Sequence, residues 1–334
     1  MIRKATEADL ELVTALYSKI HDAEATGAVC TGWLRDVYPT AETARAAIAR
    51  EDLYILEEED LILGCGIINT LQVDGYAGAP WQFEAPGDQV CVLHTLVIDP
   101  EAQGKGYGRA FLEFYENLAA ERGITELRLD TNEINAAARE MYRKHGYQEV
   151  DIIPTVFNGI PGVHLVLLEK NLNHPLSAFR PMRRFRQQIT RAECLKALTE
   201  APRGVLSLMG ENGYPYGIPM NHWYNPANGK LYFHGAKAGH KIDALTACDK
   251  VSYCVRDEGY REEGDWALHF RSVVVFGRIR LVTDERQAEV ICSHITRKFT
   301  PDEEYLRSEL RSLPRVQCLE LTPEHMTGKK VKES

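Results

Sequence analysis

The sequence predicts a two-domain α+β protein. The first half alternates helical and strand periodicity, and the second half reads as strands in series. Between them, Asn171 to Arg183 carries His174-Pro175, Arg180-Pro181 and little periodicity, as a linker does. At 334 residues, each part is long enough to bury a core of its own.

In the first half, Ile2 to Ala5 reads as a short strand. Thr6 then caps a helix, with Asp9 three residues on and Leu10, Val13, Leu16, Tyr17 and Ile20 at helical spacing. Thr40 to Arg50 is an Ala-rich second helix. Leu53–Glu57 and Leu61–Asn69 are strands around the acidic turn Glu58-Glu59-Asp60. Residues 71 to 88 read as an insertion. Val90 to Ile98 is nearly continuous in apolar residues, as a strand buried on both faces requires. A Gly-rich segment, Gln103 to Gly108, leads into a helix bearing Phe111, Leu112, Tyr115, Leu118 and Ala119 on one face. Leu127 to Asp130 is a strand, Asn135 to His145 a helix stopped by Gly146, and further strands run through Glu169.

In the second half, Thr190 and Glu193 form a capping box for a short helix. Strands follow at Gly204–Met209, Tyr216–Tyr224, Lys230–His234, Val251–Val255 and Ser272–Val282, with hairpin signals at Glu211-Asn212-Gly213 and Asn228-Gly229. A late helix over Glu285 to Phe299 and a last strand over Val316 to Leu321 complete it. Such spacing points to a barrel or sandwich.

Composition narrows the function. A net charge of -9 repels nucleic-acid phosphate, so no nucleic-acid partner is expected. No stretch approaches the ~20 apolar residues of a membrane span, and the N-terminus does not read as a signal peptide, so a cytoplasmic protein is expected. The eight cysteines form no C-x-x-C pair and no zinc spacing; they read as free thiols, with no metal site.

The first chemical signal is Val97-Ile98-Asp99-Pro100 followed by Gln103-Gly104-Lys105-Gly106-Tyr107-Gly108-Arg109 and a helix. A strand ends, a tight turn frees backbone N–H groups, and a helix places its positive end there, which suits a pyrophosphate. Gly106 and Gly108 are expected to let the phosphate oxygens approach. Gln103-x-x-Gly106-x-Gly108, then Asn135, Ala138, Tyr142 and His145-Gly146-Tyr147, resemble in order and spacing the two motifs of the GNAT N-acetyltransferase superfamily.

The resemblance covers about residues 1–170 and implies a splayed mixed sheet with flanking helices. It implies transfer from acetyl-CoA to a small-molecule or peptide amine. Leu96 and Val97 on the central strand would pair with the pantetheine arm, and the Gly-rich loop with Asn135 and Ala138 would complete the acetyl-CoA site. Tyr142 matches the family's acid for the departing thiolate. For the base, His94 and Glu84 are candidates, with Asp130 a rival. Many relatives use ordered water instead. Asn69, Trp81 and Trp33 are candidates to shape the acceptor pocket.

From about Met182 the chain resembles the pyridoxamine 5'-phosphate oxidase-like, FMN-binding split barrels, nearest the nitroimidazole-resistance type. The resemblance rests on Met182-Arg183-Arg184, Gly204-Val205-Leu206-Ser207, Tyr214 to Met220, Leu231 to Ala236, Gly239-His240-Lys241, Arg271 to Gly277 and Thr327-Gly328-Lys329. A flavin needs an apolar slot, main-chain partners and cations for its phosphate. Pro219, Met220 and Asn221 are expected to line the ring, with His234, Gly235 and Ala236 at the next strand end. Lys241 is a phosphate candidate, with Arg271 and Ser272 as second candidates, and His240 is a further candidate for the FMN site. His222, His234 and His240 leave haem open, and a deazaflavin is a further alternative.

The expected organisation is an acetyltransferase at 1–172, a linker at 173–183 and a split barrel at 184–334. The barrel is read as a homodimerising flavoprotein of reductase or oxidase type. The alternative makes it a non-catalytic flavin or haem sensor, or a dimerisation module, that regulates the transferase.

Overall fold

The computed structural model describes residues 1–59, 61–173, 179–180, 182–184 and 187–333. Asp60 of the acidic turn, and His174, Pro175 and Pro181 of the expected linker, lie outside the described residues. Two compact units divide at Arg180. No helix is long and apolar enough to cross a membrane.

The first unit is a seven-stranded mixed sheet with helices on both faces. Its strands are β1 (Ile2–Lys4), β2 (Leu53–Glu58), β3 (Leu61–Asn69), β4 (Val90–Ile98), β5 (Glu126–Asn132), β6 (Gln148–Phe157) and β7 (Ile160–Asn171), in the order β1-β2-β3-β4-β5-β7-β6. Only β4 and β5 pair in parallel. The alternation along β2 assigns the two cores. Leu53 and Ile55 pack with α1 (Leu10–Ala25) and α2 (Ala41–Ala49), while Tyr54 and Leu56 pack with α3 (Tyr107–Glu121) and α4 (Ala136–Lys144). Tyr115 is fully buried and donates its hydroxyl to the Cys91 carbonyl at 2.6 Å, tying α3 to β4. Leu10 begins α1 one turn later than its cap signal, because Glu7–Asp9 form a 3-10 turn.

The second unit is a seven-stranded antiparallel sheet. It is built from β8 (Arg203–Met209), β9 (Pro215–Asn221), β10 (Trp223–Asn225), β11 (Lys230–Ala236), β12 (Lys250–Arg256), β13 (Leu268–Leu281) and β14 (Val316–Glu333), in the order β10-β11-β14-β13-β12-β8-β9. The two edge strands, β9 and β10, are separated in sequence by His222 alone. A sheet whose edges are consecutive in the chain must curl until they meet, so this topology is a split barrel. The helices are α5 (Arg191–Glu200), capped by Thr190 and Glu193, then α6 (His240–Ala247), α7 (Glu285–Arg297) and α8 (Glu303–Leu310).

The strand expected over Tyr216–Tyr224 therefore breaks at His222, the corner of the barrel. Its ring is fully buried: Nε2 donates to the Leu198 carbonyl at 2.6 Å, and Nδ1 accepts from the Tyr253 hydroxyl at 2.8 Å. Burial, reinforced by the nearby Lys298 charge, lowers its pKa to about 4, so the ring stays neutral. His222→Ala would strand the Leu198 carbonyl and leave a void. It should cost about 2–4 kcal/mol, read as a lower urea midpoint by tryptophan fluorescence; an unchanged midpoint would contradict the corner role.

Candidate functional sites

The first site begins where β4 parts from β5. Their parallel ladder covers Val90–Leu93 against Glu126–Leu129, whereas β3 follows β4 as far as Ile98. Thr95 has a φ of 50°, and the β3–β4 register shifts opposite it, between Cys65 and Ile67. This bulge turns β4 away, so Thr95 to Ile98 face a gap whose far wall carries Asp130 to Asn132. A cavity of about 860 Å³ occupies the opening.

Beyond β4, Gly104 and Gly106 have φ of 78° and 89°, and Gly106 is the N-cap of α3 without a side-chain cap. By contrast, α2 and α4 are capped by Thr40 and Asn135. The positive end of α3 thus has no side-chain cap. Lys105 is exposed, Tyr107 donates its hydroxyl to Glu58, and Arg109 pairs with Glu113 at 2.7 Å. The loop consequently offers backbone N–H groups more than cationic side chains. Gly108 departs from its expected reason: a Cβ there would stand 2.8 Å from the Met141 sulfur, so its small size serves the packing of α3 on α4. Gly106 has open space around it and is required by its φ.

Leu96, Val97, Gln103 and Ala138 line the same cavity, and so does Asn135, whose side chain accepts from the Ala138 N–H at 3.1 Å. Tyr142 lies beside them, nearly buried, and its phenol makes no hydrogen bond to the described residues. Burial, with the Asp130 charge second, holds its pKa well above the ordinary tyrosine value, so it is protonated. Asp130 lines the cavity and accepts from the Tyr76 hydroxyl at 2.8 Å; burial raises its pKa to about 6.

The cavity lining does not include His94 or Glu84. His94 Nε2 donates to the Leu71 carbonyl at 2.9 Å and lies 3.2 Å from Asn69 Oδ1, and burial lowers its pKa. It is a bracing residue for the insertion, not a group in the cavity. Glu84 is exposed within that insertion. Of the three acceptor-pocket candidates, only Trp33 lines the cavity. Asn69 is held by Asp52 at 2.8 Å, and the Trp81 ring carries the Arg128 guanidinium at 4.0 Å.

From the sequence the insertion offered only Glu84 and Trp81 as candidates, yet it delivers Tyr76 to Asp130. Buried Glu169 accepts from the Gln82 N–H at 2.9 Å, and Arg128 donates to Gln72 at 2.6 Å and to the Phe83 carbonyl at 3.2 Å. These groups pin residues 72–83 to β5 and β7. Irregular segments lack periodicity, so only the fold reveals the partnership.

The second site lies at the end of β11. Lys241 is half-buried without an acidic partner among the described residues, and burial lowers its pKa. Its ammonium lies where a Cβ on Gly235 would stand. Gly239, with a φ of 113°, begins α6 without a side-chain cap, whereas α5, α7 and α8 are capped by Thr190, Asp284 and Asp302. A cation and a free helix terminus converge there, as a phosphate requires. His234 is half-buried with a pKa lowered by burial, and Ala236 is exposed.

Other candidates are placed differently. Met220 packs in the barrel core, so it does not line a surface slot; Pro219 is exposed and Asn221 half-buried. The Arg271 guanidinium is held by Asp257 at 2.8 Å, which offsets its charge, and Ser272 follows it on β13. His240 is exposed and stacks on Tyr216 at 4.1 Å. Both His222 nitrogens are engaged, leaving none for a haem iron.

Comparison with known proteins agrees with both halves. Residues 18–147 match the family model of the acetyltransferase (GNAT) family, and residues 190–330 that of pyridoxamine 5'-phosphate oxidase. A mycothiol acetyltransferase of Geodermatophilus obscurus is 31% identical over 102 residues, 29% of this chain and 33% of that protein. The ribosomal protein bS18 alanine N-acetyltransferase of Escherichia coli is 37% identical over 60 residues, 18% of this chain and 40% of that protein. The chain thus spans a third to two-fifths of these relatives. A solved structure of a putative 5-nitroimidazole antibiotic resistance protein from Bacteroides thetaiotaomicron is 20% identical, covering 44% of this chain and 87% of that one with a TM-score of 0.38. The chain belongs in its first half to the GNAT acetyltransferase family and in its second to the pyridoxamine 5'-phosphate oxidase-like family.

Proposed function

We propose that residues 1–172 form an acetyl-CoA-dependent N-acetyltransferase acting on a small or peptide amine, joined by residues 173–183 to an FMN-binding split barrel at 184–334. The observation that carries the transferase reading is one cavity holding the uncapped α3 terminus, the freed edge of β4 and Tyr142. The N–H groups of Gly106 to Arg109 receive the pyrophosphate, and the peptide groups of Leu96 and Val97 pair with the pantetheine amides. Amine attack on the thioester carbonyl breaks the C–S bond. Tyr142, kept neutral by burial, donates its proton to the thiolate. Asp130, ionised above about pH 6, takes the amine proton in place of His94 or Glu84.

In the barrel, Lys241 and the α6 terminus would hold the FMN phosphate, and Gly235 leaves room for the Lys241 ammonium. A bound flavin supplies electron transfer for a reductase or oxidase. The barrel also exposes an apolar sheet face: Val205 and its β12 partner Cys254 are exposed, as are Met209 and Phe276. That face supports a homodimer. The thiols are all free, which suits a reducing cytoplasm.

Tyr142→Phe should lower kcat by about 100-fold with acetyl-CoA affinity retained. The kcat/KM profile should rise with pH through about 6, as the Asp130 carboxyl ionises, and Asp130→Asn should remove that limb. An unaltered limb in Asp130→Asn excludes Asp130 as the base. Lys241→Ala should weaken FMN binding by roughly ten- to a hundred-fold, with Lys241→Arg retaining part of it. Fluorescence titration of FMN into the full chain measures this, and equal affinity in Lys241→Ala contradicts the phosphate site.

A further inference from the structure

The chemistry of the acceptor end of the cavity narrows the amine. Loop residues Gly27 to Trp33, with Tyr38, form one wall, and hydrogen bonds within the protein hold it. Glu24 accepts from the Thr31 N–H at 2.6 Å and from the Gly32 N–H at 3.0 Å, which sets Trp33 in place. Trp33 and Tyr38 meet edge-on at 6.0 Å, and Tyr38 and Phe157 at 5.7 Å. The Tyr38 hydroxyl is spent on Thr95, so these three rings present apolar surface to the cavity. Val163 and Leu165 of β7 extend that surface.

Charge is distributed unevenly along the same cavity. Its lining cations, Arg109 and Lys144, lie on the first turn of α3 and the last turn of α4. The Met141 sulfur beside Gly108 fixes those two turns together at the nucleotide end. Its lining acids are Asp130 and Glu140, and Glu140 on α4 already faces Lys144 at 2.9 Å. Asp130 is therefore the charged group that meets the aromatic wall. Asp130 follows the last β5 rung of the parallel ladder, and Thr95, which engages the Tyr38 hydroxyl, lies just past the last β4 rung, so carboxylate and wall flank the same opening; Tyr142 lines the same cavity.

We infer, resting on the acetyltransferase reading, that the acceptor is a primary amine carried on an apolar or aromatic body without an acidic group. Its ammonium sits against Asp130, surrenders a proton there and attacks the acetyl carbonyl, while its body fills the space between Trp33, Tyr38 and Phe157. An α-carboxylate would be desolvated against rings and repelled by Asp130, with no lining cation at that end to receive it. A second ammonium, as in a polyamine, would meet no second carboxylate there.

The test uses the full chain with acetyl-CoA and three probes: 2-phenylethylamine, phenylalanine and spermidine. Release of the CoA thiol gives kcat/KM, and calorimetry gives acetyl-CoA affinity separately. The expected result is a kcat/KM for 2-phenylethylamine about 100-fold above phenylalanine and at least about tenfold above spermidine. If acetyl-CoA binds but phenylalanine or spermidine is preferred, or 2-phenylethylamine is not acetylated, the acceptor inference is overturned and the binding site stands. If acetyl-CoA does not bind, the transferase reading itself fails.

Discussion

The parting of β4 from β5 is the constraint on which the first unit depends. A parallel pair would ordinarily continue its ladder, because an unmade backbone hydrogen bond inside a protein is costly. Here the left-handed backbone at Thr95 ends the ladder after Leu93. The β3 side survives through a register shift, so β4 stays in the sheet while its other edge opens. Everything proposed for catalysis follows from that edge. It leaves the peptide groups beyond Leu93 without β5 partners, and it leads directly to the Asp99 turn, where the side chain accepts from the Glu101 N–H and pairs with Lys19 at 2.7 Å. The turn then aims α3 at the same opening.

The wall facing that edge is built less economically. Asp130 takes its position on β5 from the strand itself, yet its partner Tyr76 comes from an irregular insertion. That insertion is held by buried charge. Glu126, Arg128 and Glu169 are each at most 5% exposed, and burial, with the neighbouring Glu169 charge, raises the Glu126 pKa to about 8. Breaking a buried charged cluster by removing one member is strongly destabilising, because the others remain in low dielectric. The cluster therefore specifies where residues 72–83 lie, and through Tyr76 it orients the Asp130 carboxylate.

Much of this was legible from the sequence. Leu61–Asn69 and Val90–Ile98 are strands with the expected ends, since apolar runs bounded by turn residues carry a strong signal. Most of the Gly-rich loop and Tyr142, singled out by their motifs, line one cavity. What was missed has physical causes. Helix α8 buries only Leu306, so it has no apolar stripe to detect, and α6 is a short helix of eight residues after a Gly-containing turn. The break at His222 follows from barrel closure, a property of the whole sheet. Strand β14 runs on from Leu321 to Glu333 because β13 pairs with its polar half throughout. Among candidate bases, His94 and Glu84 were plausible by residue type; their hydrogen bonds and exposure, which no spacing encodes, place them outside the cavity.

The central claim is that the freed β4 edge and the uncapped α3 terminus together bind acetyl-CoA. Isothermal titration of acetyl-CoA into the full chain and into Gly106→Val tests it most directly. Gly106 has a φ of 89° and open space around it, so a valine strains the loop and obstructs the N–H groups without disturbing a core contact. Saturable one-site binding to the native chain is expected, with affinity about 100-fold or more weaker in the variant and an unchanged circular dichroism spectrum. Equal affinity in the two proteins, or no binding to the native chain, would contradict it.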